Sequence, residues 1–98
     1  MNIKLTLAYD GTNYHGWQIQ ENAPTIQETL LGAIKNIMHD VENIQGVSRT
    51  DSGVHALCYV ANFHTQKPIP IERIPKAINS FLPNDIRVQT AEVAEEKF

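Results

Sequence analysis

Ninety-eight residues make one domain, long enough for a modest core without a metal or disulfide staple but short for an enzyme with a deep cleft. Apolar residues form 42% of the chain, eight Lys and Arg stand against eleven Asp and Glu for a net charge of −3, and there is one cysteine, Cys58. One cysteine excludes a disulfide scaffold, the charge balance speaks against a stand-alone basic nucleic-acid binder, and no run in the sequence approaches the roughly 18 apolar residues that a helix crossing a bilayer needs. Part of the acidity is terminal, since Glu92, Glu95 and Glu96 against Lys97 contribute −2, so a local basic patch elsewhere stays open.

Ile3, Leu5 and Leu7 alternate with Lys4 and Thr6, the period of a half-buried strand, which the Asp10-Gly11 turn signal ends. The polar and aromatic stretch that follows as far as Pro24 holds Tyr14, His15 and Trp17 and reads as a functional loop or a distorted hairpin; the plainer alternative is a surface hairpin with Trp17 packed as a lid on the core. Thr25-Ile26-Gln27-Glu28 supplies a capping box, and Ile26, Leu30, Ala33, Ile34 and Ile37 place one apolar stripe along the helix it starts. Val41 to Val47 is a weaker strand, assigned as much from its position as from its pattern.

Gly46 to Ala56 is a polar, charged run between two apolar ones and reads as a site on a loop. Arg49 and Asp51 stand two apart, so an extended segment puts both on one face, where a guanidinium can orient a carboxylate or bind a phosphate beside it. A connection between strands with a solvated ion pair fits the same residues. Ala56 to Thr65 is the most apolar stretch and reads as a central strand, with Leu57, Tyr59, Ala61 and Phe63 on one face and Cys58, Val60, Asn62 and His64 on the other. Within that run Cys58 is expected to be a buried thiol in a reducing cytoplasm. Lys67-Pro68-Ile69-Pro70 breaks the strand; a second helix is expected from near Pro75 to before Pro83, and Ile86 with Val88 restarts a strand that fades into the acidic tail. The resulting order, β-α-β-β-α-β, permits an α+β, ferredoxin-like half-domain, an antiparallel sheet with two helices on one face. Residues 1–98 are expected to form one such domain, since no repeat, linker or low-complexity segment divides them.

Other chemistry finds little support. His15, His39, His55 and His64 share no metal-ligand spacing with Cys58 or one another, the glycines make no phosphate loop, and Ser48, Ser52 and His55 have no third group to orient a nucleophile and base.

The run Arg49-Thr50-Asp51-Ser52-Gly53-Val54-His55-Ala56 resembles the active-site motif of the tRNA pseudouridine synthase A family, usually written Gly-Arg-Thr-Asp-Ala-Gly-Val-His-Ala. Tyr9-Asp10-Gly11-Thr12-Asn13-Tyr14-His15-Gly16-Trp17-Gln18 is similar to the family's amino-terminal signature, and Ile78-Asn79-Ser80-Phe81-Leu82-Pro83, with Asp85-Ile86 just after, to a third block. The three blocks follow the family's order and span nearly the whole chain. Ser48 stands where the family has glycine and Ser52 where it has alanine; both exchanges keep a small residue.

The resemblance implies that the chain is the amino-terminal catalytic half of a two-domain synthase, and that this half by itself is inactive. It implies that Asp51 is the catalytic nucleophile and that Arg49, Thr50, Gly53, His55, Tyr14 and Gln18 bind RNA or shape the site. The reaction would break the bond between ribose and uracil N1, turn the base and rejoin it through C5, with no metal or organic cofactor. The implied substrate is the anticodon stem-loop of tRNA at uridines 38 to 40, the implied assembly a homodimer, the implied compartment the cytoplasm, with no membrane partner. The competing expectation from another class is a non-catalytic RNA-binding or protein-interaction module on the same scaffold, which would display aromatics on an exposed sheet face.

Overall fold

The computed structural model describes residues 1–17, 24–46, 56–66 and 69–95, and for Leu57 the backbone only. Strand β1 (Asn2–Tyr9) sits inside a four-stranded antiparallel sheet together with β3 (Ala56–His64), while β2 (Gln45–Gly46) and β4 (Ile86–Ala94) lie outermost, in the order β2-β3-β1-β4. The alternation of β1 decides its place. Ile3, Leu5 and Leu7 are fully buried on one face, paired with Phe63, Ala61 and Tyr59 of β3 on one side and with Val93, Ala91 and Val88 of β4 on the other. Helices α1 (Ile26–Lys35) and α2 (Ile74–Asn79) close that face: Ile26, Leu30 and Ile34 of α1 and Ile74 and Ile78 of α2 join one apolar cluster with the strand residues. Each such aliphatic side chain contributes about 1.5–3 kcal/mol on leaving water. This is the expected α+β, ferredoxin-like arrangement.

Several local expectations are corrected. Only half of the capping box forms: Thr25 Oγ1 accepts from Glu28 N at 3.3 Å, while Thr29 Oγ1, rather than Glu28, turns back to the Thr25 backbone, donating to its carbonyl at 2.9 Å. The strand expected over Val41–Val47 is, among its described residues, only Gln45–Gly46. Val41 and Ile44 are both buried although three apart, a spacing no regular strand allows; the chain is irregular there, with Asn43 Oδ1 accepting from Ile44 N and Gln27 Nε2 donating to Ile44 O at 2.6 Å. Helix α2 keeps to expectation, starting one residue before Pro75, whose missing N–H costs nothing in a first turn, and ending at Asn79, before Pro83. The Asn79 side chain then pairs with Val88 as a strand would, Nδ2 donating to Val88 O at 3.0 Å and Oδ1 accepting from Val88 N at 2.8 Å. Strand β4 does not fade after Val88 but continues to Ala94, passing a bulge opposite Thr6 and Leu7. Cys58 is exposed, not buried. The same alternation that buries Tyr59 turns its neighbour to the open face, and an apolar run by itself does not reveal which face is covered.

Candidate functional site at the cleft end of the sheet

The carboxyl end of β1, the start of β3 and the entry to β4 meet at one end of the sheet, and the polar side chains there are tied to one another. Asp10 ends β1 and caps a 3-10 turn over Gly11–Asn13, its Oδ1 accepting from Thr12 N at 3.0 Å and from Thr12 Oγ1 at 2.6 Å. The Asp10 amide donates to Asp85 O at 2.8 Å. Asp85 in turn receives the Tyr14 hydroxyl on Oδ1 at 2.7 Å and Asn13 Nδ2 on Oδ2 at 3.4 Å. Tyr14 is 7% exposed, and burial first, the Asp85 carboxylate second, push its ionisation far above the ordinary tyrosine value. Its hydroxyl is therefore a fixed donor at any physiological pH, not a base.

The segment after Tyr14 is fastened to the start of α1. His15 N donates to Pro24 O at 2.8 Å, Ile26 N to Gly16 O at 3.1 Å and Gln27 N to Trp17 O at 2.9 Å. Gly16 takes φ 81°, a conformation that a side chain would strain. Trp17, 3% exposed, lies on Tyr59 with ring centroids 4.6 Å apart, and Tyr59 meets the edge of Tyr9 at 5.8 Å. Trp17 thus packs as a lid on the core. Gly46 comes down against these rings: a Cβ there would strike the Tyr59 hydroxyl and stand 2.8 Å from Trp17 Cε2 and Nε1. One end of the polar run from Gly46 to Ala56 is thus seated on the Trp17–Tyr59 stack, and the other enters β3 opposite Tyr9.

An open cleft of about 450 Å³ occupies this end of the sheet, walled by Ala8, Tyr9 and Asp10, by Ala56, and by Asn84, Asp85 and Arg87. A second hollow of about 260 Å³ lies near the opposite end of β3, lined by Asp40, Glu42 and His64 among others. There the Asp40 carboxylate accepts from Thr65 Oγ1 at 2.7 Å and Gln66 N at 2.6 Å, an arrangement that joins two loops. Among the described residues no three His, Cys, Asp or Glu side chains are grouped to hold a metal, and no helix is long and apolar enough to cross a membrane.

Of the residues singled out in the sequence, Tyr14 lies beside the cleft as part of the Asp85 clamp. Gln18, Arg49, Thr50, Asp51, Gly53 and His55 lie outside the described residues. The structure adds Asp85 and Arg87, which sequence reasoning did not assign. Asp85 adjoins the third motif block, and its partner Tyr14 belongs to the first, so the coincidence of the two blocks was the available signal. Arg87 carried none beyond its place between Ile86 and Val88.

The chain matches the family model described as tRNA pseudouridine synthase over residues 6–97. It is 54% identical over 97 residues to the tRNA pseudouridine synthase A of Thermoanaerobacter sp. (strain X514), covering 99% of this chain and 40% of that protein. Against the enzyme of the same name from Ruminiclostridium cellulolyticum the identity is 48% over 96 residues, 98% of this chain and 39% of the relative. Against that of Aquifex aeolicus it is 45% over 97 residues, with 99% and 40% covered. The chain therefore spans about two fifths of the length of the curated relatives it matches.

Proposed function

Because the chain belongs to the tRNA pseudouridine synthase family, we propose that it is the amino-terminal, nucleophile-bearing half of an enzyme that isomerises uridine to pseudouridine in tRNA. The observation that carries the reading is the framing of the motif run: Gly46 on the Trp17–Tyr59 stack and Ala56 at the cleft wall flank the nine residues that include Arg49 and Asp51. Asp51 is the nucleophile. It attacks the ribose or the base, or assists a glycal route; the bond from ribose C1′ to N1 breaks, the base turns, a bond from C1′ to C5 forms, any bond to Asp51 is broken to return the free carboxylate, and the C5 proton is lost while N1 gains one. The target uridine leaves its stack to be reached, and Arg49 holds the backbone or fills the space left behind. Thr50, Gly53, His55 and Gln18 shape the site, and Tyr14 fixes the cleft wall through Asp85.

The substrate is the anticodon stem-loop, at uridines 38 to 40, the enzyme works in the cytoplasm as a homodimer, and no cofactor takes part. A small sheet with the motif run joined to it at one end supplies one wall of a water-excluding site, so the 98-residue chain by itself binds weakly and does not turn over. A base-reading module of the same fold would stack nucleotides on exposed aromatics, but Tyr59 and Phe63 are both buried on the helix side. The test is base-resolved pseudouridine mapping on unmodified tRNA incubated with the full-length enzyme. New pseudouridine at positions 38 to 40 is expected; binding without any isomerisation would favour the module.

A further inference from the structure

Among the described residues, the cleft wall carries one cation, Arg87, and it forms no ion pair. Arg87, half-buried in the cleft wall, donates from Nη1 to Asn79 O at 2.9 Å and from Nη2 to Asn84 Oδ1 at 2.8 Å. Both acceptors are neutral, and among the described residues no carboxylate forms an ion pair with it. The two carboxylates in the same wall are engaged elsewhere, Asp10 by Thr12 and Asp85 by Tyr14 and Asn13. One of the two acceptor residues is itself fixed, because Asn79 is locked to Val88 through two hydrogen bonds. A guanidinium has five N–H donors in a planar fork, so about three remain after these two bonds, held in place before any ligand arrives.

We infer that Arg87 binds a backbone phosphate of the RNA at the mouth of the cleft. The inference rests on reading the chain as part of a tRNA-modifying enzyme. Its chemistry is general: a planar cation fixed by neutral acceptors keeps its full charge for an anion, forms charge-assisted bonds with phosphate oxygens, and loses little rotamer freedom in doing so. In a chain of net charge −3, a cation placed beside the cleft counts for more toward a phosphate than it would on a basic protein. The competing role is mechanical, a pin between the end of α2 and the turn before β4.

Salt dependence separates the two roles. In the full-length enzyme, the affinity for an unmodified tRNA transcript is measured between about 50 and 200 mM salt for the wild type, Arg87→Ala, Arg87→Lys and Arg87→Gln, beside thermal unfolding. Removing one phosphate contact lowers the slope of log K against log salt by about 0.7–0.9. That drop is expected for Arg87→Ala and Arg87→Gln, whereas Arg87→Lys keeps the slope and binds more weakly for lack of the fork. Arg87→Gln retains an amide donor for the Asn79 carbonyl, so it supplies the answer if the alanine variant does not fold. An unchanged slope in the folded charge-removing variants, with or without a lower unfolding temperature, would overturn the inference. Failure of the wild type to bind tRNA would overturn the proposed function itself, and the inference with it.

Discussion

The two faces of the sheet are built on different principles. On the covered face, Ile3, Leu5, Leu7, Ala61 and Phe63 are at most 1% exposed and meet the apolar stripes of both helices. On the open face, Lys4 stands opposite Glu92, Thr6 opposite Thr90 and Ala8 opposite Arg87, all partly or fully accessible to water, while Asn2 is buried and accepts from Asn62 Nδ2 at 3.2 Å. The first face is held by area removed from water, which is large, nondirectional and indifferent to pH. The second is held by individual polar contacts of modest net worth, which leaves its groups available to a ligand. Stability therefore resides mainly on the covered face, and if the proposed function holds, substitutions there should separate from those at the cleft end of the sheet.

The largest effect on stability belongs to the covered face. Phe63→Ala empties a fully buried site and should cost about 3–5 kcal/mol, read as a lower denaturant midpoint. A loss below about 1 kcal/mol would mean that the helices repack freely and that the distinction between faces is weak. Next comes Gly46→Ala, which puts a methyl group against the Tyr59 hydroxyl and Trp17. Overpacking at that contact should cost about 1–3 kcal/mol and, in the full-length enzyme, should lower activity as well, because the motif run begins there.

Tyr14→Phe sharpens the comparison at the cleft wall. It removes the donor to Asp85 and should cost about 1–2 kcal/mol near neutral pH. Its pH signature is specific. Folding raises the ionisation of Tyr14, so its contribution is fully present below the unfolded tyrosine value of about 10 and is lost as pH climbs above it. The difference in stability between wild type and Tyr14→Phe should accordingly shrink above about pH 10; a difference that stayed constant there would show that the hydroxyl is not held as described. The smallest effect is expected at Lys4, whose Nζ lies 3.0 Å from Glu92 Oε1 with both side chains substantially exposed. Lys4→Ala should change stability by less than about 0.5 kcal/mol, and that change should vanish in high salt.

The covered face was legible in the sequence because its periodicities are direct records of burial. Ile3, Leu5 and Leu7 could only be a strand, and Ile26, Leu30, Ala33 and Ile34 only a helix stripe. The same logic misplaced Cys58, since an apolar run shows a strand without showing which side the helices cover. It also overextended β2, where Val41 and Ile44 are buried by an irregular path that Asn43 and Gln27 stabilise through side chains. At the site the limits are of another kind. Tyr14 and Asp85 stand 71 residues apart and meet only through the fold. Arg87 sits in an Ile-Arg-Val alternation that reads as an ordinary outward-facing position; that its acceptors are the neutral Asn79 carbonyl and Asn84 amide is a fact of three dimensions. Asp51 is singled out by its spacing to Arg49 and above all by the motif, and it lies outside the described residues.

The central claim is that this domain carries the nucleophile of a tRNA pseudouridine synthase on a scaffold whose stability does not depend on it. It is tested most directly by Asp51→Asn in the full-length enzyme, with pseudouridine formation on unmodified tRNA and denaturant unfolding measured on the same preparation. The account predicts a loss of turnover of at least about 10³-fold with an unfolding midpoint close to wild type. Near-normal pseudouridine formation by Asp51→Asn would contradict it.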